Sequence, residues 1–157
     1  MADMASTLYF ALIPAAGGGS RIGAEIPKQY LPLAGKTLIR HAVETLCAVP
    51  QIDRVFVVLA PDDEYWPEAE FEDLAGKLRV LRCGGATRAE SVANGLRSMA
   101  GIAADDDWVL VHDAARPCLT AEHVEALIRT VGNDMVGGIL AVPVADTLKR
   151  EAYGRVA

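Results

Sequence analysis

Long apolar runs are missing from this 157-residue sequence. None reaches the ~20 residues that a bilayer-spanning helix needs, and Met1–Ser6 lacks the basic start of a secretory leader. These absences predict a cytoplasmic protein with no membrane partner. Paired cysteine spacing is absent too. Cys47, Cys83 and Cys118 are odd in number and widely separated, which suits free or core thiols better than a zinc site or a redox dithiol. Basic charge is in deficit, with 15 Lys and Arg against 21 Asp and Glu, a net of −6. A general nucleic-acid binder needs the opposite balance, so no nucleic-acid partner is expected, and any anionic ligand must be held by local groups. No internal repeat, low-complexity tract or linker divides the chain, and 52% hydrophobic with 23% charged residues is a globular balance. One domain over 1–157 is expected.

What is present is an alternation of two periodicities. Leu8–Ile13, Val55–Ala60, Leu78–Cys83, Trp108–Val111 and Ile139–Val144 are short apolar runs, mostly continuous and β-branched, as expected of parallel strands buried on both faces. Between them, Leu38, Ile39, Ala42, Val43 and Leu46 have helical spacing, as do Ala89, Val92, Ala93, Leu96 and Met99, and Val124, Leu127, Ile128 and Val131. Thr37, Thr87 with Glu90 three residues on, and Thr120 mark the helix starts as caps. The acidic stretch Asp62–Asp73 reads as a solvated surface loop and short helix. Strand, helix, strand, helix predicts an α/β, doubly wound, mostly parallel sheet of the Rossmann-like kind, with ligands at the carboxyl ends of the strands. That places a site on the loops after Ile13, Cys83, Val111 and Val142.

The first of those loops is Pro14-Ala15-Ala16-Gly17-Gly18-Gly19-Ser20-Arg21-Ile22-Gly23. Small residues let backbone N–H groups approach an anion closely, so phosphate binding is the expected use. Two familiar glycine motifs fail. The dinucleotide fingerprint would need glycine where Ile22 stands, and a Walker motif ending in Gly35-Lys36-Thr37 would need glycine in place of Tyr30. The loop adds Arg21 and, shortly after, Lys28. Two cations beside a bound triphosphate are what nucleotidyl transfer needs, because charge builds on the α-phosphoryl oxygens and on departing pyrophosphate.

This loop, together with Pro27-Lys28-Gln29-Tyr30, Gly84-Gly85-Ala86-Thr87-Arg88-Ala89-Glu90-Ser91-Val92 and His112-Asp113-Ala114-Ala115-Arg116-Pro117, closely resembles the 2-C-methyl-D-erythritol 4-phosphate cytidylyltransferases of the non-mevalonate isoprenoid pathway. The resemblance implies a nucleotidyltransferase domain using CTP and Mg²⁺, in which the phosphate of methylerythritol phosphate attacks the α-phosphorus of CTP in line and displaces pyrophosphate. It makes Arg21 and Lys28 the stabilisers of the transition state. Ala15, Ala16, Gly17 and Gly18 would line the nucleotide, and Gly85 and Ser91 would hold the cytosine. Asp113 would lie near the ribose, the metal or the incoming phosphate, with Arg116 and Thr147 near the second substrate. Alternatives stay open: Asp113 could simply pair with Arg116, and Ser91 could bond back to the preceding helical turn. His112 is expected to be structural, since an ionised phosphate needs no base. Gln29 and Tyr30 are expected to fix Lys28 by packing.

The family pattern also implies that 144–157 begins an arm exchanged within a homodimer, and that further acceptor-binding residues follow it. The domain is therefore expected to be incomplete, with CTP binding kept and transfer impaired. A cytidylyltransferase for another polyol phosphate, such as ribitol 5-phosphate, and a catalytically silent nucleotide-binding module are the competing readings.

Overall fold

In the computed structural model, which describes residues 7–18, 26–132, 134–147, 149–153 and 155–156, the apolar run Tyr9–Pro14 is strand β1 at the centre of the sheet. A turn of 3-10 helix, Lys28–Tyr30, precedes a small hairpin, β2 (Pro32–Leu33) and β3 (Lys36–Thr37). Ala34 and Gly35 form its tip with φ of 49° and 84°, the left-handed region that glycine takes without strain. Gly35-Lys36-Thr37 is thus a hairpin turn and not a phosphate loop. Helix α1 (Leu38–Ala48) follows, then β4 (Ile52–Val58), a 3-10 segment at Glu68–Leu74, and β5 (Leu78–Leu81). Helix α2 (Arg88–Ser98), β6 (Trp108–Val111) and α3 (Ala121–Val131) complete the layers, and a short antiparallel pair, β7 (Glu151–Ala152) and β8 (Arg155–Val156), lies beyond them.

The four main strands run in the order β5-β4-β1-β6, all parallel. Ala11 lies opposite both Val55 and Leu110, which fixes the register on both sides of β1. Because side chains alternate across a strand, β1 and β4 feed two cores. Ala11, Ile13, Val55 and Val57 pack with Ile39, Val43 and Leu46 of α1 and with Val124 and Ile128 of α3. Phe10, Leu12, Phe56 and Val58 face the other way, with Val92 of α2 and Met99. Helices on both faces of a parallel sheet make the α/β doubly wound fold that the strand–helix alternation predicts. All three helix caps form: the hydroxyls of Thr37, Thr87 and Thr120 accept from the amides of Arg40, Glu90 and His123.

Two expectations need correction. Ile139–Val144 is not a strand: Ile139, Val142 and Val144 are 85%, 86% and 64% exposed. An apolar run becomes a strand only where a ladder accepts it, and among the described residues β6 pairs with β1 alone. The result is an open apolar groove of about 880 Å³ between β6, α3 and residues 136–140. The acidic stretch 62–73 is more than a solvated loop. Trp66 and Phe71 are buried and stacked with ring centroids 4.1 Å apart. Arg40 of α1 lies over Phe71, grips both Asp73 oxygens at 2.7 Å and also donates to the Glu70 carbonyl.

Candidate active site

The loops that follow β1, β5 and β6 meet with the Lys28–Tyr30 turn at the carboxyl end of the sheet. They enclose a cleft of about 690 Å³, lined by Pro14–Gly18, Lys28, Gln29, Gly85–Arg88, Ser91 and Asp113–Arg116. Ala15, Ala16, Gly17, Gly18, Lys28, Gly85, Ser91, Asp113 and Arg116, all singled out in the sequence, are thereby brought together. Arg21 lies outside the described residues. Thr147 is described and exposed, but it does not line the cleft.

The glycine-rich loop leaves the sheet with one last tie, Ala15 N–H to the Val58 carbonyl at 2.8 Å. Among the described residues, the amides of Ala16, Gly17 and Gly18 donate to no backbone acceptor. Lys28 is exposed at the cleft, and its ammonium has no hydrogen-bond or ion-pair partner among the described residues. A buried cation would need one. Gln29 does more than pack, because its carboxamide reaches the loop and donates to the carbonyls of Ala15 at 2.8 Å and Gly17 at 3.2 Å.

The second wall is built by α2. Thr87 and Glu90 form a reciprocal capping box, and the segment before it is tied to the sheet by Gly84 N–H to the Leu59 carbonyl at 2.8 Å. Asn94 Nδ2 donates to the Cys83 carbonyl at 2.8 Å. Ser91 is 1% exposed; its Oγ accepts from the Gly85 amide at 3.1 Å and donates to the Thr87 carbonyl at 3.0 Å. Here the serine bonds back to its own helix and braces Gly85.

At the third wall, Asp113 follows β6 between two guanidiniums. Arg88 Nε and Nη2 lie 2.9 and 2.7 Å from Oδ1, and Arg116 Nε lies 2.8 Å from Oδ2. Burial pushes the Asp113 carboxyl up, but the hydrogen bond and charge of Arg88, with the charges of Arg116 and His112, outweigh it and leave the group below the usual aspartate range. His112 donates from Nε2 to the Arg116 carbonyl at 2.9 Å, closing the turn that carries the aspartate. Arg88 was not singled out from the sequence. The signal was its position directly after the Thr87 cap, where the first helical residue faces the neighbouring strand-end loop.

The described residues contain no cluster of three or more His, Cys, Asp or Glu side chains able to hold a metal ion by themselves. The donor set still fits Mg²⁺, which commonly takes one carboxylate, substrate phosphates and water. Asp113 is the one carboxylate among the described residues that line the cleft, and its arginine contacts use three of about four lone-pair positions.

Comparison with known proteins decides the family. The sequence model of the 2-C-methyl-D-erythritol 4-phosphate cytidylyltransferase (IspD) family matches residues 9–157. The chain belongs to that family. It is 64% identical over 142 residues to the cytidylyltransferase of Dechloromonas aromatica (strain RCB), covering 90% of this chain and 62% of that protein. It is 60% identical to that of Azoarcus sp. (strain BH72), again covering 90% of this chain and 60% of the relative. A crystal structure of 4-diphosphocytidyl-2C-methyl-D-erythritol synthase superimposes with a TM-score of 0.83 at 40% identity, over 97% of this chain and 67% of that one. The chain thus spans about 60% of the length of these curated cytidylyltransferase relatives. No helix among the described residues is long and apolar enough to cross a membrane.

Proposed function

We propose that the cleft binds CTP and serves the transfer of its cytidylyl group to 2-C-methyl-D-erythritol 4-phosphate, giving 4-diphosphocytidyl-2-C-methylerythritol and pyrophosphate. The observation that carries this reading is the meeting, at one sheet end, of the Ala16–Gly18 amides and the Lys28 ammonium, which have no partner among the described residues, with the Arg88–Asp113–Arg116 cluster. In this reading the amides hold the triphosphate, and the Gly85 segment, braced by Ser91, takes the cytosine.

The acceptor phosphate is already ionised, so the in-line attack requires no base. It requires positive groups where charge grows on the α-phosphoryl oxygens and on pyrophosphate, and Lys28 and Arg21 are assigned that role. Arg116 faces the same cleft as Asp113 and is assigned to the acceptor phosphate. Mg²⁺, when bound, supplies further charge neutralisation on the triphosphate, with Asp113 the residue that would hold it. Residues 144–157, which include β7 and β8, are assigned to a homodimer arm carrying Thr147 toward the acceptor. A cytoplasmic setting belongs to the same reading.

Pyrophosphate release from CTP, measured with methylerythritol phosphate and separately with ribitol 5-phosphate in a protein of the relatives' full length, tests the assignment. Release with the first acceptor alone is the expected outcome. Release only with ribitol phosphate would move the assignment to that substrate. CTP binding without release in either case would leave a nucleotide-binding module.

A further inference from the structure

Gln29 is a polar side chain, 3% exposed, at the seam between the glycine-rich loop and the Lys28–Tyr30 turn. Both of its bonds to the loop run the same way: the carboxamide nitrogen donates to the Ala15 carbonyl at 2.8 Å and to the Gly17 carbonyl at 3.2 Å. Two carbonyl acceptors fix which end of the carboxamide faces the loop, since its oxygen could bond to neither.

The consequence follows from the peptide bond. In a planar trans peptide the C=O of one residue and the N–H of the next point in opposite directions. Drawing the Ala15 and Gly17 carbonyls onto Gln29 therefore turns the N–H groups of Ala16 and Gly18 away from it. These are two of the amides that find no acceptor in the described protein. Glycines at 17 and 18, with open space around both, would otherwise let the peptide plane between them rotate freely.

The turn that carries Gln29 is itself fixed. Tyr30 is 6% exposed, its N–H meets the Pro27 carbonyl at 2.9 Å, and its hydroxyl donates to Asp63 Oδ2 at 2.8 Å. Asp63 in turn takes Arg82 Nη1 on its carbonyl at 2.8 Å, and the Tyr65 and Trp66 amides on Oδ1 at 3.0 Å. Groups aimed at a ligand need such a rigid support.

We propose that Gln29 is a positioning residue that sets the peptide planes of the glycine-rich loop, so that the Ala16 and Gly18 amides are aimed at the triphosphate before it arrives. It acts on the loop and not on the reacting atoms. This rests on the reading that the loop holds the triphosphate of CTP, and the test separates the two.

The test is a calorimetric titration of the full chain with CTP and, separately, with cytidine, which lacks the phosphates. The wild type is expected to prefer CTP. Gln29→Met, close in size but without a donor, is expected to weaken CTP binding about tenfold or more, the scale of losing hydrogen bonds to buried groups, while cytidine affinity stays constant. Gln29→Asn keeps the donor on a shorter stem and is expected to fall between the two; it carries the test if the methionine variant does not fold. Equal CTP affinity in wild type and both variants overturns the positioning role and leaves the CTP reading standing. Equal losses for CTP and cytidine also overturn it, since they mark a general structural role. A wild type with no preference for CTP over cytidine overturns the reading on which the proposal rests, and the proposal with it.

Discussion

Gly84 packs directly against Ala16, so that a Cβ at position 84 would collide with the Ala16 Cβ and stand 2.8 Å from the Leu59 carbonyl oxygen. Two loops that belong to different strand ends thus share one van der Waals boundary. Gly84→Ala is expected to destabilise the chain by about 1–3 kcal/mol, the usual cost of overpacking, and to push the loops apart. Thermal unfolding and CTP titration of the same variant check it, and both should fall. An unchanged melting temperature would mean that the two loops yield to each other without strain.

Gly17 and Gly18 stand in contrast, because a Cβ at either meets nothing within 4 Å. Gly17→Ala is expected to leave stability within about 0.5 kcal/mol, as at other open surface positions. CTP binding should still weaken, because the added methyl occupies the approach of the phosphate oxygens. Calorimetric titration beside a thermal melt separates the two effects, and full CTP affinity in Gly17→Ala would place the triphosphate elsewhere.

The Asp113 carboxyl has its folded-state pKa held down. A depressed value contributes stability that is present above the unfolded-state value of about 4 and is lost as pH falls through the folded one. The wild-type melting temperature should therefore drop on acidification below about pH 4 more steeply than that of Asp113→Asn, which has no proton to take up. Parallel curves for the two proteins would show that the arginines favour neither protonation state.

Lys28→Ala, and Arg21→Ala on the strength of the sequence, should lower kcat by about 10²–10³ with far less effect on CTP affinity, because each acts on charge that appears in the transition state. Steady-state pyrophosphate release and CTP titration of the variants in a protein of the relatives' full length give the two numbers. A kcat that matches wild type in either variant would remove that residue from the role assigned to it.

Thiol chemistry offers an independent check of the fold. Burial pushes the Cys47 thiol up to about 11, while Cys118 is exposed. Alkylation of the native chain near neutral pH, followed by mass spectrometry, should mark Cys118 well before Cys47. Equal rates would mean that α1 opens from the sheet more readily than its packing suggests.

What could be read from the sequence was what depends on near neighbours. The capping box of Thr87 and Glu90, the helical faces of α1 and α3 and the small residues Ala15–Gly18 each announce themselves within a few positions, and each forms. Pairings across the chain were less legible. Which arginine meets Asp113 depends on how α2 and β6 come to lie side by side; the turn neighbour Arg116 was in view, and Arg88, 25 residues away, was not. Arg40 with Asp73, 33 residues apart, is the same case. Ile139–Val144 misled for a related reason, since apolar composition records a capacity to pair and not the presence of a ladder. Ser91 shows the limit at the site: its spacing from Gly85 is visible, but the direction of its hydroxyl is decided by the turn beneath it.

Gly95 gives the site a floor. A Cβ there would stand 2.7 Å from Val58 Cγ2 and 2.8 Å from Leu12 Cδ1, so the missing side chain lets α2 settle onto the ends of β1 and β4. The closeness of α2, the helix that carries Ser91, to the sheet is therefore set from below by two aliphatic side chains that do not line the cleft.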